Sequence, residues 1–325
     1  MITVLDATFR DGGYYNQWQF NLELANDYLS VMENVGIDAI EIGFRNPFKR
    51  EGTFANVTDS FIRNELHKPN VEYFGVMIDT NTTPPKTIKT LFSYADESPI
   101  NLVRTATHFK DIHIGEDVCK ELKYLGYTVT CNLMQAADKS YEEIKDGAKK
   151  IEKWNVVDIL YLADSLGGMN HDSVNYSFKA IKEGWSGLTG FHGHNNKSQA
   201  LSNSLEAIDI GIDWIDATVL GMGRGPGNTE MEYLLHELNK RNFEFETDLI
   251  FDLVLNKFYP LKKTYDWGSS LPYYLSAEYN IHPIYIQKML LDQYPMNKVL
   301  KAIFYLRNID ARSFDQELFE EALNE

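Results

Sequence analysis

The sequence predicts a (β/α)₈ barrel, the TIM-barrel architecture, with a small C-terminal helical extension, and three observations predict it. Eight strand-like runs, each followed by a helix-like segment, fill roughly the first 240 of 325 residues, the usual span of such a barrel. Chemically distinctive side chains gather at the C-terminal ends of these runs: Arg10 and Asp11, Glu41, His108, Asp164 and Ser165, His192 and His194, and a glycine-rich loop after the eighth. In a closed barrel those ends converge on one mouth, whereas a doubly wound open sheet, the main competitor, would scatter some of them along an edge. From about residue 245 the alternation stops. The expected division is a catalytic barrel over residues 1–240 and a helical region over 241–325.

The first strand is the apolar start of the run Ile2-Thr3-Val4-Leu5-Asp6-Ala7-Thr8-Phe9, with Arg10-Asp11-Gly12-Gly13 as the turn beyond it. Asn21 can cap a helix whose apolar positions Ala25, Tyr28, Leu29 and Met32 keep the 3.6-residue period, and Gly36 stops it. Residues 38–44 read as the second strand and 71–79 as the third. A helix from Pro84-Pro85 through Ile88, Leu91 and Phe92 leads to a fourth strand, 100–104, that ends in Thr105-Ala106-Thr107-His108. Val118, Leu122 and Leu125 form a helical stripe closed by Gly126, followed by strand five at 127–133. Ser140 and Glu143 have capping-box spacing and open a helix with Ile144, Ala148 and Ile151. Strand six is 156–162, the next helix carries Val174, Phe178 and Ile181, and strand seven runs into Phe191-His192-Gly193-His194-Asn195-Asn196. Leu201, Leu205 and Ile208 mark a helix before Gly211, and 214–219 is strand eight. Beyond it, 247–263 and 284–307 are amphipathic, with Tyr273, Tyr274, Tyr279 and Tyr285 giving an aromatic-rich connection between them. The helical region reads as an appendage packed on the barrel that can supply a lid or an oligomer surface.

A formal net charge of -16 excludes nucleic acid and anionic membrane as general partners, since both need a basic footprint. An anionic substrate would need a local positive site. Two cysteines, Cys119 and Cys131, are too few for a disulfide framework or a thiolate metal site; both read as core residues of a protein in a reducing compartment. No signal peptide and no apolar run long enough to span a bilayer is seen, so a cytoplasmic protein is expected.

Along a strand alternate side chains share a face, so His192 and His194 point the same way. Two imidazoles and the carboxylate of Asp11 make a set with open coordination positions that suits Mn²⁺, Mg²⁺, Fe²⁺ or Zn²⁺; a pair of hydrogen-bonded structural histidines is the alternative. Arg10 brings a fixed positive charge beside that set, suited to an enolate or oxyanion. Glu41 is either part of the site or a loop carboxylate in solvent. Gly221-Met222-Gly223-Arg224-Gly225-Pro226-Gly227-Asn228 lies between a strand and a helix, where backbone N–H groups can cradle an anion, but Pro226 breaks the dinucleotide spacing and no Lys-Ser/Thr completes a phosphate loop.

Taken together, Thr8-Phe9-Arg10-Asp11-Gly12-Gly13, Arg104-Thr105-Ala106-Thr107-His108, Ala163-Asp164-Ser165, Phe191-His192-Gly193-His194-Asn195-Asn196 and the Gly221 to Asn228 loop resemble, in order, the strand-end motifs of the metal-dependent pyruvate-type aldolase and lyase superfamily (the DRE-TIM metallolyases). Its members include 4-hydroxy-2-oxovalerate aldolase, hydroxymethylglutaryl-CoA lyase and isopropylmalate synthase, and the strand-four and strand-six motifs are most similar to the first. The resemblance implies Asp11, His192 and His194 as ligands of Mn²⁺ or Mg²⁺, ahead of Zn²⁺, with Asn228 a further ligand or a group just behind them. It implies that Arg10 faces the enolate oxygen and that Ser165 contacts the substrate carboxylate; Glu41, His108 and Arg224 complete the expected substrate-binding residues.

Four departures stand out. Tyr14 occupies the place where the aldolase branch has a proton-transferring histidine, and a phenol with an ordinary pKa near 10 is a poorer base at neutral pH. Arg224 replaces a small residue and suggests a more anionic acceptor. Residues 220–228 contain no cysteine, unlike the lyase branch, and the C-terminal part does not resemble the aldolase's dehydrogenase-contacting domain. The expected function is metal-dependent cleavage or formation of a carbon–carbon bond next to a 2-oxo acid enolate, with an aldehyde as second reactant. A Claisen-type enzyme condensing an acyl-CoA with a 2-oxo acid, or a barrel without catalysis, are the rivals.

Overall fold

The computed structural model describes residues 2–48, 50–137 and 139–324. Eight strands, β1 (Thr3–Asp6), β2 (Ala39–Phe44), β3 (Tyr73–Asp79), β4 (Leu102–His108), β5 (Thr128–Met134), β6 (Ile159–Asp164), β7 (Leu188–Gly193) and β8 (Trp214–Ala217), pair in sequence order. All pairs are parallel, and β8 returns to β1 with Thr3 opposite Trp214 and Asp6 opposite Ala217, closing the barrel. Both faces of the strands are covered: every residue of β2 and of β6 is buried.

The helices form where sequence period and caps coincide. Leu22–Val35 starts at Asn21, whose side chain accepts the Glu23 N–H, and stops at Gly36, whose φ of 86° suits glycine. Tyr141–Trp154 opens on a complete Ser140/Glu143 capping box. Boundaries differ where no periodic signal exists. β1 ends at Asp6, and Arg10 and Asp11 lie in a helical turn, Thr8–Asp11, where the sequence suggests only a loop. That turn is fixed by the Asp6 carboxylate, which accepts both the N–H and the hydroxyl of Thr8 at 2.7 and 2.9 Å. β4 runs on to His108, and β8 stops two residues short of the expected end.

The barrel interior is layered. At the strand starts Leu5, Ala39, Tyr73, Leu102, Ile159, Tyr161 and Trp214 form an apolar plug, with the Tyr73 and Trp214 rings 4.8 Å apart. Gly190 leaves space for Tyr161: a Cβ there would sit 2.5 Å from its ring. Above the plug lies a layer of charge, Glu41, Arg104 and Asp216, and above that the mouth. Cys119 and Cys131 are buried and unpaired, as expected.

After β8 the chain is helical: Met231–Asn239, then 247–265 with a widened turn at 254–258, Leu271–Glu278, Pro283–Leu291, Met296–Leu306 and Gln316–Asn324. The stretch 284–307, expected as one helix, is two, because Pro295 has no N–H to continue the first and stands directly before the second. The final helix has no counterpart in the sequence reading. Apolar side chains up to Trp267 share the barrel's core, while those from Tyr273 onward form a second cluster, so packing changes later than the end of the βα rhythm. Pro283–Leu291 leans over the mouth: Gln287 donates to the Tyr14 carbonyl at 3.0 Å and accepts the Gly225 N–H at 2.9 Å. Among the described residues no helix is long and apolar enough to cross a membrane.

Candidate metal centre and substrate pocket

His192 lies within β7, and His194 lies just past its end, bridged to Asn228 of the glycine loop. Each ring is oriented from behind. His192 Nδ1 is 2.8 Å from Asp216 Oδ2, and His194 Nδ1 is 3.0 Å from the Asp164 carbonyl. A carboxylate and a carbonyl can only accept, so both Nδ1 atoms carry the proton and both Nε2 atoms keep a lone pair. Those Nε2 atoms face Asp11 Oδ2 at 3.9 Å from His192 and 3.7 Å from His194. The three ligand atoms lie within 4.8 Å of one another and all three residues are buried. The 3.9 and 3.7 Å separations from Asp11 Oδ2 are each short enough to be spanned by two bonds of roughly 2.0–2.2 Å.

The charge states fit a cation as well. Burial opposes ionisation of Asp11, but the guanidinium of Arg10, with Arg224 beyond it, more than offsets it and holds the carboxyl well below the ordinary carboxylate range. Burial, Arg224 and His192 push the His194 imidazolium well below its ordinary pKa, so the ring is the neutral ligand form. The donor set of one oxygen and two imidazole nitrogens, with the imidazoles pre-oriented, therefore fits a divalent metal.

Arg10 donates to Asp11 through Nη1 and to Glu41 Oε2 through Nε at 2.7 Å. Glu41 is neither a loop carboxylate nor among the pocket-lining residues: it sits inside β2, fully buried, one layer below the mouth. The inward face of a strand puts it there, where its Oε2 also accepts from Arg104 Nη1 at 3.1 Å. Arg104 Nη2 in turn donates to Asp216 Oδ2 at 2.7 Å, and the guanidinium stands 4.4 Å from the Tyr161 ring centre. Burial would raise the Asp216 carboxyl, and Arg104 and His192 overcome it and hold the group ionised. Asp216 and Arg104 thus tie Arg10 to His192. Neither was singled out from sequence as a site residue; the available signal is a charged residue inside an apolar strand, as in Trp214-Ile215-Asp216-Ala217 and Leu102-Val103-Arg104-Thr105.

Arg10, Asp11, Tyr14, His108, Ser165, His192, His194 and Arg224 line one cavity of about 340 Å³ at the mouth. Ser165 accepts the Gln135 N–H at 3.1 Å through its hydroxyl. Arg224 Nη2 donates to the Ser165 carbonyl at 3.0 Å and lies 3.5 Å from His194 Nε2. Asn228 stands behind the ligands: its Nδ2 donates to Asp11 Oδ2 at 2.6 Å while its Oδ1 is buried with no partner. The loop comes this close because Gly223 has no side chain; a Cβ there would lie 2.3 Å from Asn228 Nδ2 and 2.7 Å from Asp11 Oδ2. The Tyr14 ring packs on Trp18, and burial raises its phenol above the ordinary value, so it keeps its proton. His282, at the start of Pro283–Leu291, also lines the cavity. No sequence motif marks it, because a helix of the second cluster delivers it.

The glycine loop is anchored at Leu220, a non-glycine residue at φ 52° whose N–H donates to Glu232 Oε2 at 2.9 Å. Burial pushes the Glu232 carboxyl up to about 7, with its own and the Leu220 N–H pulling down, Glu230 adding repulsion and Lys262 opposing it. The folded chain then holds a proton that the unfolded chain releases near its ordinary 4.5. Its stabilisation is complete below that value and lost as pH rises through about 7. Glu232→Gln keeps an acceptor for Leu220 without the charge. It is expected to be more stable than the parent at pH 8 by on the order of 1–3 kcal/mol and nearly equal at about pH 5, read from Tm at both. A difference that does not change with pH contradicts this account.

Residues 1–254 match the HMGL-like family model. The chain is 30% identical over 252 residues to the 4-hydroxy-2-oxovalerate aldolase of Geobacillus genomosp. 3, covering 76% of this chain and 73% of the relative. It is 29% identical over 252 residues to the 4-hydroxy-2-oxovalerate aldolase of Carboxydothermus hydrogenoformans, covering 76% and 74%. Among solved structures, the N-terminal domain of a candidate aldolase from Bacteroides vulgatus superposes with a TM-score of 0.83 at 32% identity, over 93% of this chain and 100% of that one. A closed parallel barrel with an aspartate and two histidines at its mouth, matched along 1–254 by one family model, makes this chain a member of the HMGL-like family.

Proposed function

We propose that this barrel is a divalent-metal-dependent carbon–carbon lyase of the 4-hydroxy-2-oxovalerate aldolase kind, joining a 2-oxo acid to an aldehyde or splitting the product. One observation carries the reading: the free Nε2 atoms of His192 and His194 and the guanidinium of Arg10 converge on the single carboxylate of Asp11. The donor set itself accepts Mn²⁺, Mg²⁺, Fe²⁺ or Zn²⁺, and the resemblance to the metal-dependent pyruvate-type aldolases supports Mn²⁺ or Mg²⁺ ahead of Zn²⁺. Such an ion, held by Asp11, His192 and His194, supplies Lewis acidity at the 2-keto oxygen, worth several kcal/mol.

The chain's own residues do the rest. Arg10, immobilised by Asp11 and Glu41, meets the negative charge that develops on the enolate oxygen, and needs no reorganisation when it appears. Glu41 acts through Arg10 as a positioning residue. Ser165 holds the substrate carboxylate, Arg224 and His108 stand toward the acceptor side of the cavity, and Asn228 fixes Asp11. Tyr14, which holds its proton in the resting protein, hydrogen-bonds the oxygen of the aldehyde carbon, giving it that proton on addition and taking it back on cleavage. The acyl-CoA condensing reading is not favoured, since the relatives above carry the name of an aldolase. The non-catalytic reading is not favoured either, because the ligands and Arg10 are all in place.

Pyruvate in D₂O gives the test, because enolate formation needs no acceptor. With Mn²⁺ or Mg²⁺ the protein is expected to exchange the methyl protons of pyruvate, seen as loss of their NMR signal. Chelator is expected to abolish the exchange, and Tyr14→His to keep or raise it near neutral pH because an imidazole titrates there. Exchange no faster than metal alone, with the metal shown to be bound, overturns the proposal.

A further inference from the structure

The cavity holds more positive charge than one 2-oxo acid requires. Arg10 is committed to Glu41 and Asp11. Arg224 meets no carboxylate among the described residues: Nη2 rests on the Ser165 carbonyl and beside His194, and its Nε is buried without a partner. A half-buried guanidinium without a hydrogen-bonded carboxylate is costly, and the Tyr14 ring, 5.9 Å away, and the charge of Asp11 offset it only in part. Arg50 lines the same cavity and rests on the Phe48 ring, 5.1 Å away.

Two imidazoles stand with Arg224. His108 has a buried Nδ1 without a partner. His282 Nδ1 accepts the Ile284 N–H at 3.3 Å, so its proton is on Nε2, the nitrogen left to meet a ligand as a donor. The three are close enough that burial, Arg224 and His108 together push His282 well below its ordinary pKa. On the negative side the cavity offers Asp11 and Asp79. Asp11 is absorbed by Arg10 and the histidines, and Asp79 accepts the Asn81 N–H at 2.9 Å. At about 340 Å³ the space is of ordinary size for a small-molecule site.

We infer that, given the aldolase reading, the aldehyde half of the substrate carries a second anionic group, a carboxylate or a phosphate, recognised by Arg224, His108 and His282. Arg224 supplies the charge and the two imidazoles supply N–H donors. The C-terminal helical region thereby takes part in choosing the substrate through His282.

Binding and turnover test this separately. By calorimetry on the Mn²⁺-loaded protein, 2-oxoglutarate is expected to bind about tenfold or more tighter than 2-oxopentanoate, which has the same length and a methyl end, as a charge-assisted contact implies. Arg224→Gln should bring the ratio to within about threefold and Arg224→Lys should retain most of it. Equal affinities in the parent protein overturn the inference. In aldol addition to pyruvate, a higher kcat/KM for glyoxylate than for propanal identifies a carboxylate, and a higher one for glyceraldehyde 3-phosphate identifies a phosphate. Propanal ahead of both overturns the inference. Pyruvate proton exchange keeps the failures apart: exchange with a neutral acceptor preferred sinks the anion site alone. Without exchange the aldolase reading falls, and the 2-oxoglutarate to 2-oxopentanoate ratio still decides the anion site.

Discussion

The double variant His192→Ala, His194→Ala is expected to leave a desalting column with less than about a tenth of the parent's bound divalent metal, and with pyruvate exchange lowered by roughly 10³-fold or more. The first figure follows from removing two of three ligands, where loss of a mere supporting partner already costs about 10- to 100-fold in affinity. The second follows from losing several kcal/mol of Lewis-acid stabilisation at the keto oxygen. The fold should survive, since both side chains are at the mouth and not in the apolar plug. Metal analysis by mass spectrometry and a thermal melt settle the matter together. Stoichiometric metal in the double variant would place the ion elsewhere.

Arg10→Lys is expected to lower kcat by about 10²- to 10³-fold with little change in KM, equivalent to roughly 2.7–4 kcal/mol of lost transition-state stabilisation. Arginine reaches two carboxylates at once, Glu41 through Nε and Asp11 through Nη1, and so points at one place. An ammonium keeps the charge but cannot make that planar fork, and Glu41 pulls it down toward Arg104. Steady-state kinetics of retro-aldol cleavage checks this; kcat within about threefold of the parent, against the range above, would remove Arg10 from the reaction.

Much of the barrel was legible because its strands are buried on both faces and are written as apolar runs bounded by glycine, proline and capping residues, as at Gly36 and Ser140. The candidate metal set was legible as a cluster for a similar reason. Two histidines at strand spacing need no tertiary information to share a face, and only Asp11 had to be brought in from afar. What escaped depends on closure. The pairing of Glu41 with Arg104 spans 63 residues and that of Arg104 with Asp216 spans 112, and neither partner predicts the other. His282 escaped because its place follows from how a helix bundle leans, fixed by contacts such as Gln287 with Tyr14 and Gly225. The helical turn that carries Arg10 and Asp11 is too short to show a period.

The charged layer inside the barrel bears on folding as well as on the site. Arg10 follows β1, Glu41 is on β2, Arg104 on β4, His192 on β7 and Asp216 on β8. Strands such as β6, apolar on both faces, carry little hydrophobic information about which face should turn inward. A one-residue slip in any strand of the charged layer would turn its member out of the interior. The partners would be left buried and uncompensated, at about 3–5 kcal/mol for each broken pair. The native closure satisfies every link from Arg10 to His192, so the residues that organise the chemistry also favour the native register over its one-residue slips.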